Sequence, residues 1–177
     1  MLPRTDRRLA SPHASSASRG AGDALPISAW GERGRQAAQA IAARGVPVSL
    51  GRIAVLLVLQ ESPSRHTTAE QLCRAMMESP YQTALSTFRA GIYELTESGL
   101  IWRVTLPAGS HAVTHYYEMA DCPAHEHLFC TGCHRLEEVF DEPLLAMQRA
   151  CLAAQGLRPA HVRSALVGRC KACAAQA

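Results

Sequence analysis

An α+β fold in two small units is predicted by three observations on this chain. Two Cys-x-x-Cys pairs, Cys130/Cys133 and Cys170/Cys173, lie at the two ends of the segment 130–173. Upstream of them, three or four helical stretches are followed by two strand-like ones. At 177 residues and 47% hydrophobic, the chain can bury one good core or two small ones.

The helices come first. From about Ser28 to Arg44 the pattern is Ala-rich and helical, stopped by Gly45 and Pro47. A second helix from about Gly51 to Gln60 carries Ile53-Ala54-Val55-Leu56-Leu57-Val58-Leu59, apolar almost all round, as befits the centre of a small domain. Thr68 and Gln71 form a capping box that starts a third helix ending near Glu78. A fourth is expected from about Ala84 to Ser98, closed by Gly99. The strands Leu100–Leu106 and Ala112–Met119 follow, joined by Pro107-Ala108-Gly109-Ser110. Short helices followed by a hairpin outline a winged helix, in which the helix before the hairpin enters the major groove. The same outline fits a small α+β domain with no DNA role.

Beyond Cys122-Pro123 the sequence predicts a strand over His125–Phe129, the Cys130/Cys133 knuckle, and a strand over Leu136–Phe140. A helix then has Pro143 at its first position and Gly156 just past its end, and a last strand covers His161–Val167. The expected boundaries are a disordered basic tail over 1–28, a winged helix over 29–119, and a metal-binding unit over 120–177. The tail carries Arg4, Arg7 and Arg8 with little hydrophobic periodicity, so burial there does not offset ordering entropy.

Four thiolates with this spacing converge on one tetrahedral zinc at about 2.3 Å, a closed site that contributes folding free energy rather than catalysis. A dithiol redox pair or two disulfides are the alternatives, less economical than one metal site. His125 and His127 stand two apart in a strand, so both imidazoles face one way, and their pairing points to a second metal site. Cys73 and Cys151, among helical apolar residues, read as ordinary buried thiols.

Net charge is only +3, and Lys171 is the sole lysine among 18 basic residues. Arg forks suit phosphates and guanine edges, a weak pointer to nucleic acid. Seven cysteines are an odd number, and no apolar stretch resembles a signal peptide or a membrane span of about 20 residues. The expectation is a cytoplasmic protein with reduced thiols and no membrane role.

The order winged helix, His-x-His, Cys-x-x-Cys, helix, Cys-x-x-Cys resembles the ferric uptake regulator family of metal-dependent bacterial repressors, from about residue 40 onward. The particular points are His66 before Thr68-Ala69-Glu70, Leu95 with Glu97-Ser98-Gly99-Leu100-Ile101, Tyr117-Glu118, and the His125–Cys133 run. The resemblance implies a homodimer that pairs through its C-terminal sheets and binds a palindromic operator in double-stranded DNA. It implies one structural zinc per chain on Cys130, Cys133, Cys170 and Cys173. It also implies a regulatory divalent metal on His66, Glu118, His125 and His127, with Glu138 as a further ligand that Glu137 could replace. His66 also reads as a solvated turn histidine, and Cys122 as a substitute ligand or an unliganded loop thiol. The DNA-facing residues are Ser86, Thr87 and Arg89 on the reading helix, with Arg52 from the second helix.

Two departures bear on function. Where the family's reading helix carries Thr-Val-Tyr-Arg, this chain has Thr87-Phe88-Arg89-Ala90, so the resemblance does not carry the family's usual operator sequence over to it. Pro123 and Ala124 stand where further histidines are common, which argues against an accessory site there. The compact Cys170-Lys171-Ala172-Cys173 resembles the zinc-responsive branch. The leading reading is therefore a zinc-responsive repressor of metal-uptake genes, ahead of an iron-responsive regulator or a peroxide sensor. A zinc-stabilised interaction module without DNA binding is the alternative of another class. An enzyme needs an open coordination position, and a four-Cys site leaves none; no small-molecule substrate is expected.

Overall fold

The computed structural model describes residues 27–108, 112–157 and 164–175. Most of the expected tail and the start of the expected last strand lie outside these residues. A 3-10 turn, Ile27–Trp30, leads into α1 (Gly31–Ala43), α2 (Leu50–Glu61), β1 (Thr67–Thr68), α3 (Ala69–Glu78), α4 (Leu85–Glu97), β2 (Ile101–Pro107) and β3 (Val113–Met119). The C-terminal part comprises β4 (Glu126–Cys130), β5 (Leu136–Val139), α5 (Glu142–Ala154), β6 (Ala165–Gly168) and the short α6 (Lys171–Ala174). The α+β class follows, with α1–α4 and the β2–β3 hairpin forming a winged helix.

Helix α2 is the spine. Ser49 caps it by accepting the Arg52 N–H, and every residue from Ile53 to Leu59 is buried. Each flank meets another element: Ile41 of α1, Leu72 and Met76 of α3, and Phe88, Ile92 and Leu95 of α4 share its core. Helices α2 and α4 approach so closely that a Cβ on Gly51 would lie 2.6 Å from the Thr87 methyl carbon. Helix α3 starts with both bonds of the expected capping box. Helix α4 ends as Gly99, at φ 71°, lets the Leu100 N–H reach the Leu95 carbonyl and its own N–H reach that of Thr96. That Schellman close turns the chain directly into β2.

The two sheets have the orders β1-β3-β2 and β5-β4-β6, and β4 is antiparallel to β5 but parallel to β6. Strand β1, only two residues long, lacks a sequence signal; it pairs Thr67 with Tyr117 on β3. Asp141 caps α5 and Pro143 lies at its second position, one later than the sequence suggests, because Glu142 already takes the first. Between the sheets lies a second, small apolar cluster, Val104 and Leu106 of β2 with Phe129 of β4.

Cys73 is buried, but Cys151 is exposed, which corrects the expectation for it. Helix α5 buries only Leu145 against the described chain, so an apolar helix pattern does not guarantee burial of each thiol on it.

Candidate metal centres

The knuckle after β4 is shaped by backbone bonds. The His134 N–H donates to the Cys130 carbonyl at 2.8 Å, and the Cys130 N–H to the Arg135 carbonyl at 3.0 Å. The parallel pairing of β4 with β6 then brings Gly168 beside Cys130, which delivers Cys170 and Cys173 to the knuckle. The four sulfurs lie within 4.8 Å of one another, and all four residues are thiols rather than disulfides. Cys133 Sγ and Cys170 Sγ stand 3.9 Å apart, close to the edge of about 3.8 Å of a tetrahedron with bonds of about 2.3 Å.

Gly132 is required by the same closeness. A Cβ there would meet Cys173 Cβ at 2.7 Å and its Sγ at 2.8 Å. Electrostatics differ within the set. The Cys170 N–H donating at 3.2 Å, with the N–H groups of Cys133 and Gly132, pulls the Cys130 thiol down to about 5. The Cys170 side chain and burial push Cys173 up to about 12. Proton loss across the set is therefore uneven, and metal binding must displace the protons that remain.

The second cluster is assembled by register. Thr67 pairs with Tyr117, so the next residues outward, His66 and Glu118, face each other across β1 and β3. On the other sheet His127 lies opposite Glu138, and His125 just before β4 faces the same way. These groups meet between the sheets. His125 Nε2 lies 3.2 Å from Glu118 Oε2, His66 Nε2 3.5 Å from the same oxygen, and His127 Nε2 3.9 Å from Glu118 Oε1. Glu118, His125 and His127 are fully buried.

Each imidazole turns its other nitrogen toward an oxygen. His125 Nδ1 donates to the Pro123 carbonyl at 2.7 Å and His127 Nδ1 to the Ser164 carbonyl at 3.1 Å. His66 Nδ1 faces Glu138 Oε1 at 3.6 Å. With Nδ1 protonated, the Nε2 lone pairs of His125 and His127 point inward, the arrangement that orients histidines on a metal. His125 Nε2 is buried without a hydrogen bond and directed at a carboxyl oxygen of Glu118. Two electron-rich atoms face to face are stabilised by a cation between them, and the donor set fits one. His66 Nε2 and His127 Nε2 lie 2.7 Å apart, closer than the edge of about 3.3 Å around a tetrahedral zinc. That pair must therefore part when both bind. Burial lowers the pKa of His127, outweighing its bond to Ser164, and keeps the imidazole neutral as a ligand.

Glu138 stands outside this group of four: it backs His66 from the Nδ1 side and accepts from Arg65 Nη1 at 3.3 Å. Cys122 joins neither cluster. Among the DNA-facing expectations, Ser86, Thr87 and Arg89 are exposed at the start of α4. Arg52 differs. Its Nε donates to Glu94 at 2.7 Å and its Nη1 to the Pro47 carbonyl at 2.6 Å, leaving the side chain 16% exposed. It braces α2 against α4 rather than projecting outward, because a helix packed on all sides offers its arginine few directions. Tyr93, one turn beyond Arg89 and 58% exposed, was not anticipated; only its spacing of four from Arg89 signals it.

The family model described as "Ferric uptake regulator family" matches residues 43–166. A ferric uptake regulation protein of Legionella pneumophila is 33% identical over 106 residues, 60% of this chain and 75% of that protein. The protein of the same description from Escherichia coli K12 is 28% identical over 126 residues, 71% of this chain and 82% of its own. Among solved structures, the ferric uptake regulator of Pseudomonas aeruginosa with manganese aligns with a TM-score of 0.65 at 25% identity, covering 75% of this chain and 96% of that one. The chain belongs to the ferric uptake regulator family of metal-responsive regulators.

Proposed function

We propose that this protein is a zinc-responsive transcriptional repressor of metal-uptake genes, binding operator DNA as a metal-loaded homodimer in the cytoplasm. The observation that carries the reading is the meeting of His66 and Glu118 from one sheet with His125 and His127 from the other. Four convergent donors, three nitrogens and a carboxylate, match the four-coordinate preference of zinc. When bound, the ion supplies a positive centre that draws both sheets onto one point. His66 immediately precedes β1, which runs directly into α3, so fixing His66 also fixes the helices that present α4. Glu118 does the same through β3. Occupancy thus selects one orientation of the reading helices over others.

Four thiolates hold a permanent zinc in this reading, and the metal-binding unit over 120–177 supplies the dimer contact. Leu128 of β4 and Leu166 of β6, on the side of the sheet away from the histidines, are 38% and 47% exposed and suit a second copy. Ser86, Thr87 and Arg89 face the DNA, with Arg89 worth about 1–3 kcal/mol of base discrimination.

An iron-responsive regulator is the second reading. It is favoured by the description of the Legionella and Escherichia relatives as ferric uptake regulation proteins. The deciding experiment titrates operator binding against buffered free zinc and free ferrous iron. Tightening with zinc at the lower free concentration supports the proposal; tightening with iron alone replaces it; indifference to both removes the switch.

A further inference from the structure

His127 leans on a single oxygen. Its Nδ1–H and its backbone N–H both donate to the Ser164 carbonyl, at 3.1 and 3.2 Å. Ser164 precedes β6, and what anchors it is Glu126. One carboxylate oxygen, Oε2, accepts from the Ser164 N–H at 3.0 Å and from its hydroxyl. Gln148 of α5 donates to that hydroxyl at 3.1 Å.

Glu126 is fully buried and makes no ion pair among the described residues. A buried carboxylate is costly to the fold unless its oxygens are bonded, and here both bonds to Oε2 come from Ser164. Strand alternation also turns it away from the metal cluster, since its neighbours His125 and His127 take the facing side. It cannot be a ligand there. Its bonds end on the residue that orients His127.

We infer that Glu126 is a positioning residue of the His/Glu metal centre: by anchoring Ser164 it fixes the acceptor of the His127 Nδ1–H, and with it the tautomer and ring angle that present Nε2. The inference rests on the metal-centre reading above. The sequence offers no hint of it, because the link spans residues 126 to 164 and its acceptor is a backbone atom.

The test uses the full chain with zinc already in the four-Cys site. Cobalt(II) is titrated into the remaining site, reading affinity by chelator competition and geometry by the d–d absorption band. Glu126→Ala is expected to weaken cobalt binding about 10- to 100-fold and to shift the band, while the first zinc stays bound. Glu126→Gln, whose amide oxygen accepts the same bonds, should restore most of the affinity and the band. Ser164→Ala, which loses the hydroxyl but retains amide and carbonyl, should fall between and carries the test if Glu126→Ala does not fold. Wild-type affinity and spectrum in Glu126→Ala would overturn the inference, as would a Gln variant as weak as the Ala one. If the unaltered protein takes up no cobalt beyond the four-Cys site, the metal-centre reading itself falls; uptake unaffected by the substitutions removes only the role of Glu126.

Discussion

The two clusters differ in where their donors come from. The four cysteines all belong to one sheet and its flanking turns: a knuckle after β4 and a turn after β6, made neighbours by a parallel strand pair. The His/Glu group draws two donors from the β1-β3-β2 sheet and two from the segment entering β4. A cation on the first can only stabilise what is already one unit. A cation on the second must also set the angle between two units. Donor chemistry follows the same division: four thiols, a set suited to holding zinc tightly, in the clamp, and imidazoles with one carboxylate, a set suited to exchange, at the junction.

This contrast can be broken most severely at the clamp. Replacing Cys130 with Ser should take retained zinc from about one per chain to near zero and abolish cooperative unfolding of the C-terminal part, read by metal analysis and calorimetry. At the junction, His127→Ala should weaken the exchangeable site by more than the 10- to 100-fold typical of outer-shell changes, about two decades or beyond. Zinc in the clamp and the melting profile of the metal-free protein should barely move. If that variant also loses its clamp zinc, the two centres are not independent.

Smaller effects sharpen the picture. Gly132→Ala forces a Cβ against Cys173 and should cost about 1–3 kcal/mol of overpacking, visible as faster zinc release to a colorimetric chelator. Acidification gives a further test. Burial depresses the His127 pKa, so below about 6.5 the unfolded chain takes a proton that the folded one resists. Metal-free protein should therefore lose stability as pH falls through that value, and His127→Ala should flatten the slope. Smallest is Arg65→Ala. Its ion pair with Glu138 is 59% exposed on the arginine side, and stability should change by about 0–1 kcal/mol, less at high salt.

Much of this arrangement was legible in the chain. The capping box at Thr68 and Gln71, the all-round apolar run from Ile53 to Leu59 and Gly99 as a helix stop are local signals, and the elements they mark lie within a residue or two of where they were expected. The four thiols and the two close histidines declare themselves by spacing. What local patterns could not give is anything set by pairing between distant strands. Strand β1 is two residues long and exists only because β3 lies beside it. Arg52 looks like a free cation in a helix pattern, yet Glu94 claims it from 42 positions away. The displacement of Glu138 to the far side of His66 depends on the register of β4 with β5. Exposure of Cys151 reflects how little of α5 the other described residues cover.

The connection between the sheets has its own consequence. Glu118 ends one set of donors and His125 begins the next, only seven positions later, so even a taut chain separates them by no more than about 25 Å. The two halves therefore stay on a short leash when the junction is open. Meeting of the two donor sets is an intramolecular encounter, at a local concentration set by that span.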